Sequence, residues 1–317
     1  MRAGKCLVAG VVLSLPLSAF TLLGQATGGE SKAGAEPTPT LRVEVKLVNV
    51  FTSVTDGNGA LVGGLSREDF AVSEDGVSQR IAVFERQTDL PLNLVLAIDT
   101  SGSVRKDLDE ERDAAKHFVR ALVRPEDEIS LLEFATEVHQ VVGFTNHAKE
   151  IENGLNHLQM GAATALYEAI DRASRSLARR DGRKVLVLVS DGGDTADTVS
   201  YAQALEQALR GEVMVYSLID VPVEASAGRD TGGEHALITL AEQTGGRYFY
   251  VDQGGLKEAF ARVSEDLRTQ YLIGYYPTFS APGVSFHRIQ ITVPRGDGKT
   301  YEIRYRTGYY GERFSEK

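Results

Sequence analysis

Cysteine is almost missing from this chain: its one copy, Cys6, falls in the first 24 residues. A protein without that leader has no cysteine and can form no disulfide. Histidine is sparse too, and the six present show neither metal-ligand spacing nor a His-Glu-x-x-His pattern, which argues against the zinc-protease class. A Gly-x-Ser-x-Gly nucleophile elbow is absent as well. Positive charge is in deficit, with 34 Lys and Arg against 44 Asp and Glu and a formal charge of −10. A nucleic-acid partner would need a clustered basic face, and the sequence suggests none. The acidic excess mainly favours solubility. No internal repeat is visible. What remains, 42% hydrophobic and 25% charged over 317 residues, is ordinary soluble material on the scale of about two domains.

The N-terminus stands apart. Residues 1–5 carry Arg2 and Lys5, residues 6–24 carry no charge, and Gly24-Gln25-Ala26 offers small residues where a signal peptidase reads. Residues 1–26 are therefore expected to be a secretory signal peptide, giving a secreted or periplasmic, envelope-exposed protein. The alternative is an uncleaved anchor, since 19 uncharged residues can just span a bilayer; Pro16 and the scattered Ser and Thr weigh against it. Cleavage removes two positive charges and takes the net charge from −10 to −12. Residues 27–40, small, polar and Pro-containing, read as a flexible linker.

Periodicity divides the remainder into three. Over 41–90, LRVEVKLVNVFTSVTD alternates apolar and polar residues and Asp56-Gly57 and Asp75-Gly76 mark turns, the signs of a small β segment. Over 91–270 the chain alternates strand and helix. LNLVLAID and KVLVLVSD are apolar runs of the kind found in strands buried on both faces. Repeated βα units predict a doubly wound, mainly parallel Rossmann-like α/β sheet with helices on both sides. Over 271–317 β texture returns in TQYLIGYYPT, SFHRIQITVP and KTYEIRYRTGYY, read as three strands. Each β segment alone has few strands with which to bury a core. The two are expected to pack together as one small sandwich, with the α/β domain inserted between them; two independent appendages are the alternative.

The chemistry gathers at strand ends. Asp99-Thr100-Ser101-Gly102-Ser103 follows the first buried strand directly, and in a doubly wound sheet ligands bind in the crevice at the carboxyl ends of the strands. Asp99, Ser101 and Ser103 would offer oxygens there, with Gly102 easing the turn. KVLVLVS ends the same way, in Asp191-Gly192-Gly193-Asp194, and Gly161-Ala162-Ala163-Thr164 opens an intervening helix with another hydroxyl. Hard oxygen donors of this kind suit Mg²⁺, or Mn²⁺ in its place, and not zinc or copper.

DTSGS matches the D-x-S-x-S signature of the von Willebrand factor type A metal-ion-dependent adhesion site. AATALYEAI and VLVSDGGD resemble that family's Thr-bearing helix start and second Asp strand, in the right order and about 60 and 27 residues apart. The resemblance covers about 92–270 and implies that Asp99, Ser101 and Ser103 hold the metal. It further implies that Thr164 binds it directly or through water, and that Asp191 acts mainly through water. The flanks EDGVSQRIAVFE, YLIGYYPT and RYRTGYY look like the bacterial VWFA-related domain proteins known especially from Acidobacteria, a group of poorly defined role. The implied function is non-enzymatic: adhesion or protein binding, in which the metal captures an Asp or Glu of a partner protein, with no small-molecule cofactor. A structural envelope scaffold, or a metal-dependent hydrolase, is the rival. Relatives can also couple the metal site to movement of the last helix, here 255–269.

Blander readings go with several of these residues. Loop and capping chemistry alone can explain isolated Ser, Thr and Asp at helix starts. Asp194 and Asp197 are expected to end a loop and cap helix 198–210, and Asp107, Asp109 and Glu110 to form the acidic first turn of a helix. Arg295-Gly296-Asp297 reads as a hairpin turn rather than an integrin-type ligand. Val293 stands where a phosphate loop ending in Gly298-Lys299-Thr300 needs glycine. The pairs Tyr275-Tyr276 and Tyr309-Tyr310 read as sheet aromatics.

Overall fold

A computed structural model describes residues 47–86, 90–102, 108–220, 231–251, 255–278, 286–294 and 300–311. The signal and linker segments, Ser103, Asp107 and the Arg295-Gly296-Asp297 turn lie outside these residues, as do the side chains of Asp109 and Glu110. No helix of the described residues is long and apolar enough to cross a membrane.

The central sheet contains β5 (Leu92–Asp99), β6 (Glu128–Phe134), β7 (Val138–Thr145), β8 (Arg183–Ser190), β9 (Met214–Ile219) and β10 (Tyr248–Tyr250). Their spatial order is β10-β9-β8-β5-β6-β7. All neighbours run parallel except β7, which returns antiparallel along β6. The side-chain alternation of β5 explains its unbroken apolar run. Leu92, Leu94, Leu96 and Ile98 face one core, packed by α1 (Leu108–Leu122), α2 (Ala148–Leu155) and α6 (Gly255–Thr269). Val95 and Ala97 face the other, packed by α3 (Leu166–Ala178), α4 (Tyr201–Arg210) and α5 (Thr231–Thr244). After β5 the chain moves to β6 on one side, and after β8 to β9 on the other. A crevice therefore opens between the carboxyl ends of β5 and β8. The fold is the mixed, mainly parallel α/β architecture expected from the alternating strand and helix periods.

Strands from both ends of the chain share two further sheets. In one, β1 (Val48–Asp56) pairs antiparallel with β11 (Tyr271–Tyr275) and with β13 (Tyr301–Arg304), and β4 (Ile81–Arg86) flanks β11. The other has the order β14-β12-β2-β3, from β2 (Ala71–Glu74), β3 (Val77–Gln79), β12 (Phe286–Thr292) and β14 (Gly308–Tyr310). Val48, Val50, Val72, Tyr271, Ile273, Tyr275, Ile289 and Ile291 close a common core between them.

The KTYEIRYRTGYY run, read as one strand, is two. After β13 the chain leaves its sheet, the Arg306 guanidinium donates to the Asn49 carbonyl at 2.8 Å, and the Thr307 N–H donates to Gln243 O. The chain then enters the other sheet at Gly308, where an added Cβ would stand 2.2 Å from His287 O. A second difference concerns capping. Ser200, not Asp194 or Asp197, caps α4, and its hydroxyl accepts the Gln203 N–H at 3.3 Å. Asp194 instead accepts the Tyr167 N–H at 3.1 Å at the start of α3.

A buried polar chain ties sheet to sheet. Arg183 on β8 donates to Leu267 O and to Gln270 Oε1 (2.7 and 2.8 Å), and Gln270 in turn donates to the Tyr216 hydroxyl on β9. Tyr216 donates to Asp266 on α6 at 2.6 Å, and Arg304 on β13 also donates to that carboxylate.

Candidate functional site

Asp99 ends β5, at the level of Ser190 at the end of β8. Its Oδ1 accepts the Ser101 N–H at 2.9 Å and its Oδ2 accepts the Ser190 hydroxyl at 2.8 Å. The Ser190 oxygen accepts the Gly192 N–H at 3.1 Å, and Asp191 Oδ1 accepts the Gly193 N–H at 3.2 Å. The turn after β8 is thus folded back on its own side chains and linked to Asp99. Gly192 is required there. Its φ is +97°, and a Cβ would stand 2.7 Å from the Gly233 carbonyl carbon at the start of α5.

The third loop is fastened to both of the others. Gly161 donates its N–H to Thr100 O at 3.0 Å, next to Asp99. Thr164 donates its N–H to the Thr195 hydroxyl at 2.9 Å, and its carbonyl accepts the Thr195 and Ala196 N–H groups. Gly161 again admits no side chain, since a Cβ would fall 2.3 Å from Ala135 Cβ. Asp99, Ser101 and Thr164 are buried, Asp191 is half-buried, and Gly102 and Met160 are exposed at the rim. The structure thus brings the loops bearing Asp99, Ser101, Thr164 and Asp191 to one end of the sheet; Ser103 is outside the described residues.

Electrostatics sets Asp99 apart. Burial pushes its carboxyl up from an ordinary 3.8 to about 6, and the nearby Asp191 charge adds to the rise. Donation from Ser101 and Ser190 offsets part of it. Both hydrogen-bond partners are neutral, and among the described residues no Lys or Arg forms an ion pair with Asp99. Ionised, such a group is an uncompensated buried charge, costly until a cation meets it. Two carboxylates with hydroxyls form a hard-oxygen donor set, which fits a divalent ion of the Mg²⁺ type. The sequence alone does not single out Ser190. The strand register carries it, because pairing Ile98 with Val189 sets the next residues, Asp99 and Ser190, side by side.

A doubly wound sheet with helices on both faces defines an α/β domain of the Rossmann-like kind, a class whose ligands bind at the switch point. Residues 94–193 match the family model of the von Willebrand factor type A domain, and the chain carries such a domain, of a kind that generally mediates interactions between proteins. The chain is similar to the solved von Willebrand factor type A protein from Catenulispora acidiphila (12% identity, 83% of this chain and 74% of that one, TM-score 0.49). It is also similar to an aerotolerance-related membrane protein from Bacteroides fragilis (19% identity, 56% and 98% covered, TM-score 0.45). A third is the vWF domain of the type V pili tip protein Mfa5 from Porphyromonas gingivalis (12% identity, 56% and 95% covered, TM-score 0.44). None of the curated proteins matches the chain.

Proposed function

We propose that the protein is an exported, non-enzymatic binding module whose crevice holds Mg²⁺ (or Mn²⁺) and through it captures an Asp or Glu of a partner protein. Asp99, Ser101 and Ser103 would hold the ion, with Thr164 binding it directly or through water and Asp191 acting mainly through water. The observation that carries the reading is Asp99, a buried carboxylate at the sheet's switch point, held by neutral donors and raised to about 6. A divalent ion answers that charge. Bound there, it supplies an electrophilic centre with room for an outside oxygen, because Mg²⁺ retains waters where few protein ligands reach it. A partner carboxylate replacing such a water gains a charge-assisted contact in a partly desolvated crevice.

The test is a Mn²⁺ and Mg²⁺ titration of the full chain and of Asp99→Ala, followed by capture from an envelope extract with Mg²⁺ or chelator. Stoichiometric ion binding, lost in Asp99→Ala together with capture, supports the reading. Capture that survives Asp99→Ala while the melting temperature drops favours a scaffold whose ion only stiffens loops. Absence of ion binding refutes both.

A further inference from the structure

Far from the crevice in the fold, three side chains of ligand type meet where β2 runs alongside β12. They are Glu74, Asp75 and His287, with one donor atom of each lying within 4.8 Å of the others. Asp75 leads the turn to Gly76 at φ +49°. Its Oδ1 accepts the Arg288 N–H at 2.9 Å and its Oδ2 stands 2.8 Å from His287 Nδ1. The His287 ring is buried and stacks on Tyr309 with centroids 5.2 Å apart.

Glu74 is the unusual member. It is buried, and its Oε2 accepts the hydroxyls of Tyr275 at 2.7 Å and Tyr309 at 3.0 Å. Oε1, by contrast, is buried without a hydrogen-bond partner among the described residues and faces His287 Nδ1 at 3.8 Å. A buried carboxylate oxygen left in that state is destabilising, because its lost hydration is not offset.

A proton on His287 Nδ1 does not resolve this. It can reach Asp75 at 2.8 Å, but 3.8 Å to Glu74 is too long for a hydrogen bond. A cation among the three atoms would satisfy all of them. Tetrahedral zinc with ligands at about 2.0–2.1 Å places its donors about 3.3 Å apart. The distances of 2.8 and 3.8 Å straddle that value. An imidazole with two carboxylates suits zinc, whereas Mg²⁺ prefers oxygen alone.

We propose that Glu74 Oε1, Asp75 Oδ2 and His287 Nδ1 form a zinc-type transition-metal site, separate from the crevice. Tyr275 and Tyr309 orient the Glu74 ligand from behind, the outer support such sites use. The Asp75 side chain is 41% exposed, so the ion can enter from solvent and keep a water as its fourth ligand. The bond it makes is between ends of the chain. It clamps β2 to β12, strands whose ligands lie more than 200 residues apart. In a sandwich without cysteine the ion takes the stapling role that disulfides serve elsewhere.

The test is Zn²⁺ competition against a chromophoric chelator on the full chain carrying Asp99→Ala, which separates this site from the crevice. Co²⁺ substitution read by its visible absorption accompanies it. One equivalent of Zn²⁺ is expected in that background. Asp75→Asn should weaken it at least about tenfold, and His287→Gln should abolish it. Asn tolerates positive φ, so Asp75→Asn serves as the variant that keeps its fold. Nitrogen NMR of the His287 ring should show Nδ1 bound to metal. Absence of stoichiometric Zn²⁺ binding, or equal binding after both substitutions, overturns the proposal.

Discussion

Replacing Asp99 with Asn should make the metal-stripped protein more stable at neutral pH, although it removes the residue on which ion binding is proposed to depend. Asn is nearly the same shape. Its oxygen can still accept the Ser101 N–H, and its amide can donate to Ser190, whose oxygen has a second lone pair beside the one used by Gly192. What changes is the charge. The folded protein raises the Asp99 carboxyl from 3.8 to about 6, a displacement worth about 3 kcal/mol. For a raised carboxyl the sign is fixed. Its favourable share of stability is complete below pH 3.8 and is lost as pH climbs through about 6. The advantage of Asp99→Asn should therefore be near zero at about pH 4 and grow to about 3 kcal/mol by about pH 7. Urea denaturation in chelator across that range measures it, and Mg²⁺ added at neutral pH should stabilise wild type alone. A variant less stable than wild type at pH 7, or a difference that does not change with pH, would refute the reasoning.

Two further outcomes follow from packing. Asp266→Ala deprives the buried Tyr216 hydroxyl and the half-buried Arg304 of their shared acceptor and should cost about 3–5 kcal/mol in urea denaturation. Gly246→Ala would set a Cβ 1.9 Å from Val215 O and should cost about 3 kcal/mol or more. As its control, Gly57→Ala meets open space and should stay within about 0.5 kcal/mol of wild type in thermal melts.

The α/β core was legible because burial writes itself into sequence. A strand covered on both faces has to be apolar through its middle, and β5 from Leu94 to Ile98 and β8 from Val185 to Val189 are. Asp99 and Asp191 were legible for a related reason: acidic residues that close or follow such a run mark the strand's carboxyl end. Ser190 was not, since its partnership with Asp99 depends on the register between β5 and β8, which no local pattern encodes. The break between β13 and β14 was hidden by continuous β-type alternation; only the approach of His287 O to Gly308 shows why the chain changes sheets there. Glu74, Asp75 and His287 were invisible, because ligand spacing rules apply to neighbours in sequence and His287 comes from the opposite end of the chain. The capping of α4 was misassigned among several suitable residues, and geometry chose Ser200.

The α/β segment leaves and rejoins the flanking strands at one place. Arg86, at the end of β4, pairs with Tyr271, at the start of β11. Departure and return are thus a single strand spacing apart, about 5 Å. Segment 87–270 accordingly leaves one strand and re-enters its neighbour across a single rung of their ladder. One pair of neighbouring strands thus carries both covalent joints between the α/β segment and the flanking strands.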